Sequence, residues 1–234
     1  MKIGANSKVI MMGDSVTDVE RAKPNGEGLF DPYGRGYVAF VNALLCATYP
    51  ERRIRIVNKG LSGNTVRDLE NRWQDDVMKL NPDWVSIMIG INDVWRQFDM
   101  PMQPEAGVPL AEYEERLTAL VDRTKPVVKG LILATPYYIE SNTSDAMRAR
   151  MDEYSAVVKK LAQKSGAVFV DTQAAFDAHL KHFHANAVAW DRVHPNNTGH
   201  IIASGGRRSW GPECNTGHMI IARAWLKAVG YEWR

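Results

Sequence analysis

Five short apolar runs, each followed by a turn and then by a stretch with helical character, constrain this chain more than any other feature. They fall at residues 9–12, 54–58, 84–89, 130–134 and 167–170. Apolar runs this short, bounded by Gly, Asn or Asp, read as strands buried on both faces. Helical patterns separate them. One runs over 37–48 with Val38, Val41, Leu44 and Leu45 on its apolar stripe. A second opens with Thr65-Val66-Arg67-Asp68, a capping box with Asp in the Glu/Gln place, and continues to about residue 80. Others cover about 112–124, a long amphipathic stretch from a cap at Ser144 or Asp145 to 163 with Gly166 as its stop, then 174–182 and 217–229. Residues 23–36 and 99–111 hold too many Pro and Gly for regular structure. Strands alternating with helices predict a parallel sheet joined by crossovers. The expected fold is therefore α/β, a three-layer α/β/α sandwich on a five-stranded parallel sheet, flavodoxin-like. No linker interrupts it, so residues 1–234 are expected to form one domain.

In open sheets of this kind ligands bind beyond the carboxyl ends of the strands, so the residues there carry the functional reading. The first strand runs into Gly13-Asp14-Ser15-Val16-Thr17-Asp18. Ser15 reads either as a helix cap or turn residue or as a nucleophile, which then needs a base and an oxyanion hole. The second strand leads to Lys59-Gly60-Leu61-Ser62-Gly63-Asn64. Gly63 either supplies a positive φ or offers its amide to a ligand at close range. The third leads to Gly90-Ile91-Asn92-Asp93, where Asn92 is a turn former or a side-chain donor to a developing oxyanion. Near the end stands Trp190-Asp191-Arg192-Val193-His194-Pro195. A carboxylate three residues before a histidine can hold its Nδ1 across a turn and leave Nε2 free to accept a proton. Three strand-end turns and a base at one sheet edge together favour catalysis over coincidence.

These blocks, Gly13-Asp14-Ser15, Gly63, Asn92 within Gly-x-Asn-Asp, and Asp191-x-x-His194, resemble in type and order those of the SGNH hydrolases, the GDSL-type serine esterases. The stretches 58–65, 89–95 and 189–194 further resemble the intracellular bacterial acetylxylan esterases of that family. The resemblance implies Ser15 as nucleophile, His194 as base and Asp191 as its orienting carboxylate. It also implies an oxyanion hole of the Ser15 and Gly63 amides and the Asn92 side chain. The implied reaction removes acetyl groups from acetylated xylo-oligosaccharides or similar sugars through an acyl-enzyme, without metal or organic cofactor. Relatives of this type often form closed homo-oligomers. Asp14, Trp95 and Trp190 adjoin the blocks and are candidate substrate contacts. The two indoles are suited to stacking on a pyranose, while Asp14 and Asp18 could instead brace the turn. A short-chain lipase or thioesterase, and a non-catalytic carbohydrate-binding protein on the same scaffold, are the rival readings. The binder is disfavoured because Ser15, Asn92, Asp191 and His194 are all present. A Gly-x-Ser-x-Gly elbow and a phosphate-cradling Gly-rich loop are both lacking.

Composition narrows the partners. The net charge of +2 gives no reason to expect nucleic acid or an anionic membrane, and no apolar stretch reaches bilayer length. The N-terminus lacks the apolar core of a secretory signal, so a cytoplasmic location is expected. Cys46 and Cys214 are expected to be free thiols. His179, His182 and His184 lie along one helix and its end without a completing ligand set, and read as solvated rather than metal-binding. Arg52, Arg53, Arg55 and Lys59 read as a solvated basic edge. One oddity has no functional reading: Asn197-Thr198-Gly199-His200-Ile201-Ile202 recurs as Asn215-Thr216-Gly217-His218-Met219-Ile220, which suggests a local insertion around 199–216.

Overall fold

The computed structural model describes residues 1–195 and 216–233. Its frame is a five-stranded sheet of β1 (Lys8–Gly13), β2 (Arg55–Asn58), β3 (Trp84–Met88), β4 (Gly130–Ala134) and β5 (Val168–Val170). The strands lie in the order β2-β1-β3-β4-β5, and every pair is parallel. That is the flavodoxin-like order, in which the direction of strand addition reverses between β1 and β3 and opens a crevice there.

Side chains alternate between two apolar cores, one on each face of the sheet. Val9, Met11 and Ile132 join one core, and Ile10, Met12, Leu131 and Leu133 the other. Strands covered on both sides have no use for polar alternation, which is why they read as unbroken apolar runs. The first core is closed by α2 (Tyr37–Thr48), α7 (Thr172–Leu180) and α8 (Thr216–Ala228) through residues such as Tyr37, Phe176 and Trp225. The second is closed by α3 (Val66–Asp76), α4 (Ile91–Asp99), α5 (Leu110–Thr124) and α6 (Ala146–Ser165), with Trp73, Val94, Leu117 and Met151 inside. Residues 23–36 form no helix or strand, as expected. No helix among the described residues is long and apolar enough to cross a membrane.

The structure corrects the sequence reading in places. Residues 15–18 form a single helical turn, α1 (Ser15–Asp18), with Asp14 as its cap. Helix α4 was not expected at all; it begins directly after Gly90, with no connecting loop. Helix α3 stops at Asp76, and a 3₁₀ turn, Met78–Leu80, continues it. Lys59 is not at a solvated edge. It is 4% exposed, and its ammonium pairs with Asp76 at 2.6 Å. Residues 199–215 of the proposed insertion, Cys214 among them, lie outside the described residues. Of the second motif copy, Thr216, Gly217 and His218 open α8.

Candidate active site

The carboxyl ends of β1, β2 and β3 and the segment before Pro195 build one site. At the end of β1 the chain passes so close to β3 that a Cβ on Gly13 would lie 2.2 Å from Thr17 Oγ1 and 2.7 Å from the Met88 carbonyl oxygen. The Asp14 carboxylate then accepts from the Val16 amide at 3.0 Å and caps α1. Ser15 is thereby presented at a helix N-terminus, where its backbone N–H has no intrahelical acceptor.

The loop after β2 is tied on every side. Asn58 Oδ1 accepts from the Gly60 amide, while Asn58 Nδ2 donates to Thr17 O. Asp18 Oδ2 accepts from both the amide and the hydroxyl of Ser62 at 3.0 Å. Arg72 donates to Lys59 O, Asn64 Oδ1 and Gly13 O, linking this loop to the Ser15 turn. Held this way, Gly63 sits at φ 82°. A Cβ there would meet nothing within 4 Å, so within the protein the glycine serves the backbone angle rather than a close approach.

Helix α4 completes the floor. Asn92, 1% exposed, donates from Nδ2 to Asn64 O at 3.0 Å. Its neighbour Asp93 is fully buried, and Asp93 Oδ1 accepts from the Val66 amide at 2.9 Å, the first residue of α3. Two successive side chains of α4 thus clasp the Gly63 loop and the helix that follows it.

The fourth segment brings Asp191 and His194. The Tyr137 hydroxyl donates to Val193 O at 3.2 Å, and the Ile139 amide donates to Arg192 O at 2.9 Å. Arg192, at φ 60°, pairs with Glu140. Asp191 Oδ1 accepts from the amides of Val193 and His194, and Asp191 Oδ2 lies 2.7 Å from His194 Nδ1. His194 Nε2 lies 2.8 Å from Ser15 Oγ. An ionised carboxylate only accepts, so Nδ1 carries the imidazole proton and Nε2 is left to accept from the serine hydroxyl. The three side chains, 179 positions apart at their extremes, form one line of hydrogen bonds.

The charges around this line are set by environment. Burial pushes the Asp191 carboxyl up, but its bonds to His194 and Val193 outweigh burial and hold it below the ordinary carboxylate value. Burial raises Asp14 to about 6 and Asp93 to about 7. Burial also lowers the His218 imidazole to about 3, aided by His194 nearby; a histidine from the repeated motif is therefore held neutral behind the site.

The GDSL-like lipase/acylhydrolase family matches residues 11–202, which takes in all four segments. The chain belongs to this family. It is 55% identical over 233 residues, all of this chain and 98% of the other, to a protein named acetylxylan esterase from Geobacillus stearothermophilus. The crystal structure of that protein, Axe2, superposes with a TM-score of 0.90 over 100% of this chain and 98% of that one. Crystal structures of its S15A, D191A and H194A variants, described as catalytic mutants, match over 100% of this chain with TM-scores of 0.90, 0.91 and 0.90. LAE5, an alpha/beta hydrolase from the metagenome of Lake Arreo, is 51% identical with a TM-score of 0.90, covering 99% of this chain and 98% of its own.

Ser15, Gly63, Asn92, Asp191 and His194 all lie on the segments just described. Asp14, expected as a substrate contact or a brace of the turn, is 2% exposed and caps α1. Trp95 and His194 pack edge-to-face, with ring centroids 5.6 Å apart. Trp190 is 56% exposed. Trp73 and Trp225 are core residues, and among the described residues no group of side chains is placed to hold a metal ion. Asp93, Arg96 and Tyr137 were not singled out from sequence. Asp93 lies inside the Gly-x-Asn-Asp block and was recoverable from it; Tyr137 carried no local signal.

Proposed function

We propose that this GDSL-like hydrolase deacetylates xylo-oligosaccharides or closely similar acetylated sugars, with Ser15 as nucleophile, His194 as general base and Asp191 as its orienting carboxylate. The observation that carries the reading is the unbroken Ser15–His194–Asp191 line, at 2.8 and 2.7 Å. Support for the substrate comes from the full-length likeness to the acetylxylan esterase, whose variants at the same three numbers are called catalytic mutants. A non-catalytic binder has no use for such a line.

Ser15 Oγ attacks the acetyl carbonyl carbon while His194 Nε2 takes its proton. The carbonyl oxygen becomes an oxyanion, with the Ser15 and Gly63 amides and Asn92 Nδ2 as donors. Asp191 stabilises the imidazolium without itself taking the proton. Collapse breaks the ester C–O bond, and the sugar oxygen leaves with the proton held by His194. Water then attacks the acetyl-serine, His194 takes its proton, and acetate departs as the proton returns to Ser15. No cofactor enters these steps. Trp95 and Trp190 are the proposed sugar contacts, since an indole offers a flat apolar face.

The free thiol of Cys46 is exposed, which suits a reducing, cytoplasmic setting. Leu29 and Phe30 are 81% and 95% exposed, an apolar pair that assembly into a homo-oligomer would bury. The test of the activity is acetate release from acetylated xylo-oligosaccharides beside a series of longer-chain esters. The expected result is preference for the acetylated sugars, with Ser15→Ala losing activity by a factor on the order of 10⁶. Preference for octanoyl or palmitoyl esters would move the protein to lipase or thioesterase chemistry.

A further inference from the structure

Helix α4 carries Asn92 and Arg96 four residues apart, on one face. Arg96 Nη2 donates to Asn92 Oδ1 at 3.3 Å. On the opposite side of the same amide, Nδ2 donates to Asn64 O at 3.0 Å. A guanidinium only donates and a carbonyl only accepts. Asn92 therefore cannot exchange its oxygen and nitrogen without breaking both bonds. One Nδ2 hydrogen is spent on Asn64, and the second makes no hydrogen bond among the described residues.

Arg96 is itself held on two sides. Its guanidinium carbon lies 4.5 Å from the centroid of the Trp95 ring, and its Nη1 pairs with Asp99. An exposed i,i+3 ion pair adds little stability on its own. The planar fork nevertheless lets one side chain bond Asp99, stack on Trp95 and reach Asn92 at once, which an ammonium cannot do.

We propose that Arg96 is a positioning residue for the oxyanion hole. It holds the Asn92 amide so that its second Nδ2 hydrogen is fixed toward the developing negative oxygen, and it strengthens that donor by drawing charge from Oδ1. This rests on the reading of Ser15 and Asn92 given above, and the test separates the two.

The experiment measures kcat and KM for acetate release by the wild type, Arg96→Met, Arg96→Lys, Asn92→Ala, the Arg96→Met/Asn92→Ala double variant and Ser15→Ala, with the melting temperature of each. Removing an oxyanion-hole donor lowers kcat by about 10² to 10³. Misaiming one should cost less, so Arg96→Met is expected to lose about tenfold to a hundredfold in kcat with little change in KM. Arg96→Lys should recover part of that loss. The double variant should be no slower than Asn92→Ala, because Arg96 acts through Asn92. A wild-type kcat in Arg96→Met, or losses that simply add in the double variant, would overturn the proposal while a dead Ser15→Ala left the serine mechanism standing. Substantial activity in Ser15→Ala would remove both.

Discussion

Asp93 illustrates how a buried carboxyl at this site links structure to pH. Its Oδ1 accepts from Val66, its Oδ2 has no partner among the described residues, and burial raises its pKa to about 7. A carboxyl raised in the folded state keeps its proton after the unfolded chain has released its own. Folding stability therefore falls as pH rises from about 4 to about 7 and levels off above. Asp93→Asn keeps the Oδ1 acceptor and removes the titration. The expected outcome is a smaller loss of stability between pH 5 and pH 8 than in the wild type, read from urea midpoints. Some slope should remain, because Asp14 is raised to about 6 by the same cause. Identical slopes in the two proteins would show that Asp93 does not titrate in this range. At this scale the sequence was informative wherever the proposed chemistry needs a particular atom type: Ser15, Asn92, Asp191 and His194 stood out because few other residue types could fill the proposed roles. For Asp14 the sequence left two readings open, because proximity to Ser15 along the chain says nothing about which way a capping side chain turns; the structure shows it as the cap of α1.

Among the elements, α4 and α6 make opposite contributions. Helix α6 is a framework element. Asp145 caps it by accepting from the Arg148 amide at 3.0 Å, and it carries neither the Gly63 loop nor the Asp191–His194 segment. Asp145→Ala should lower stability by about 1 kcal/mol, a shift of about 2–4 °C in a chain of this size, with kcat unchanged. Calorimetry beside acetate-release kinetics checks both halves, and a fall in kcat would tie α6 to the site. Helix α4 instead carries Asn92, Asp93, Trp95 and Arg96, and it was missed in the sequence. Gly90-Ile91-Asn92-Asp93 has the composition of a turn, and Gly90 does adopt φ 132°. Yet Ile91, Val94, Trp95 and Phe98 recur at helical spacing immediately afterwards. The helix starts with no connecting residues because Asn92 and Asp93 send their side chains across to α3 and its loop, leaving the backbone free to coil. Helices α2 and α6 were legible because ordinary stops and caps, Pro50, Asp145 and Gly166, bracket their apolar stripes.

For the molecule as a whole, the strand order decides where chemistry can occur. β1 and β3 are neighbours although β2 lies between them in sequence, so the Ser15 turn and the Asn92 helix meet at the point where the sheet reverses. Apolar runs identify strands but not their neighbours, because both faces of every central strand are covered alike. The order was expected only from the number of αβ units. Convergence of Asp191 and His194 on Ser15 depends further on the loop after β4, through Tyr137 and Ile139, a long-range contact without a local sequence pattern. The measurement that bears most directly on this convergence is labelling by a fluorophosphonate, with the modified residue located by peptide mass spectrometry. The hydrogen-bonded line predicts a single adduct on Ser15, formed far more slowly in His194→Ala and absent in Ser15→Ala. An unlabelled wild-type protein, or an adduct on another residue at the wild-type rate, would contradict it.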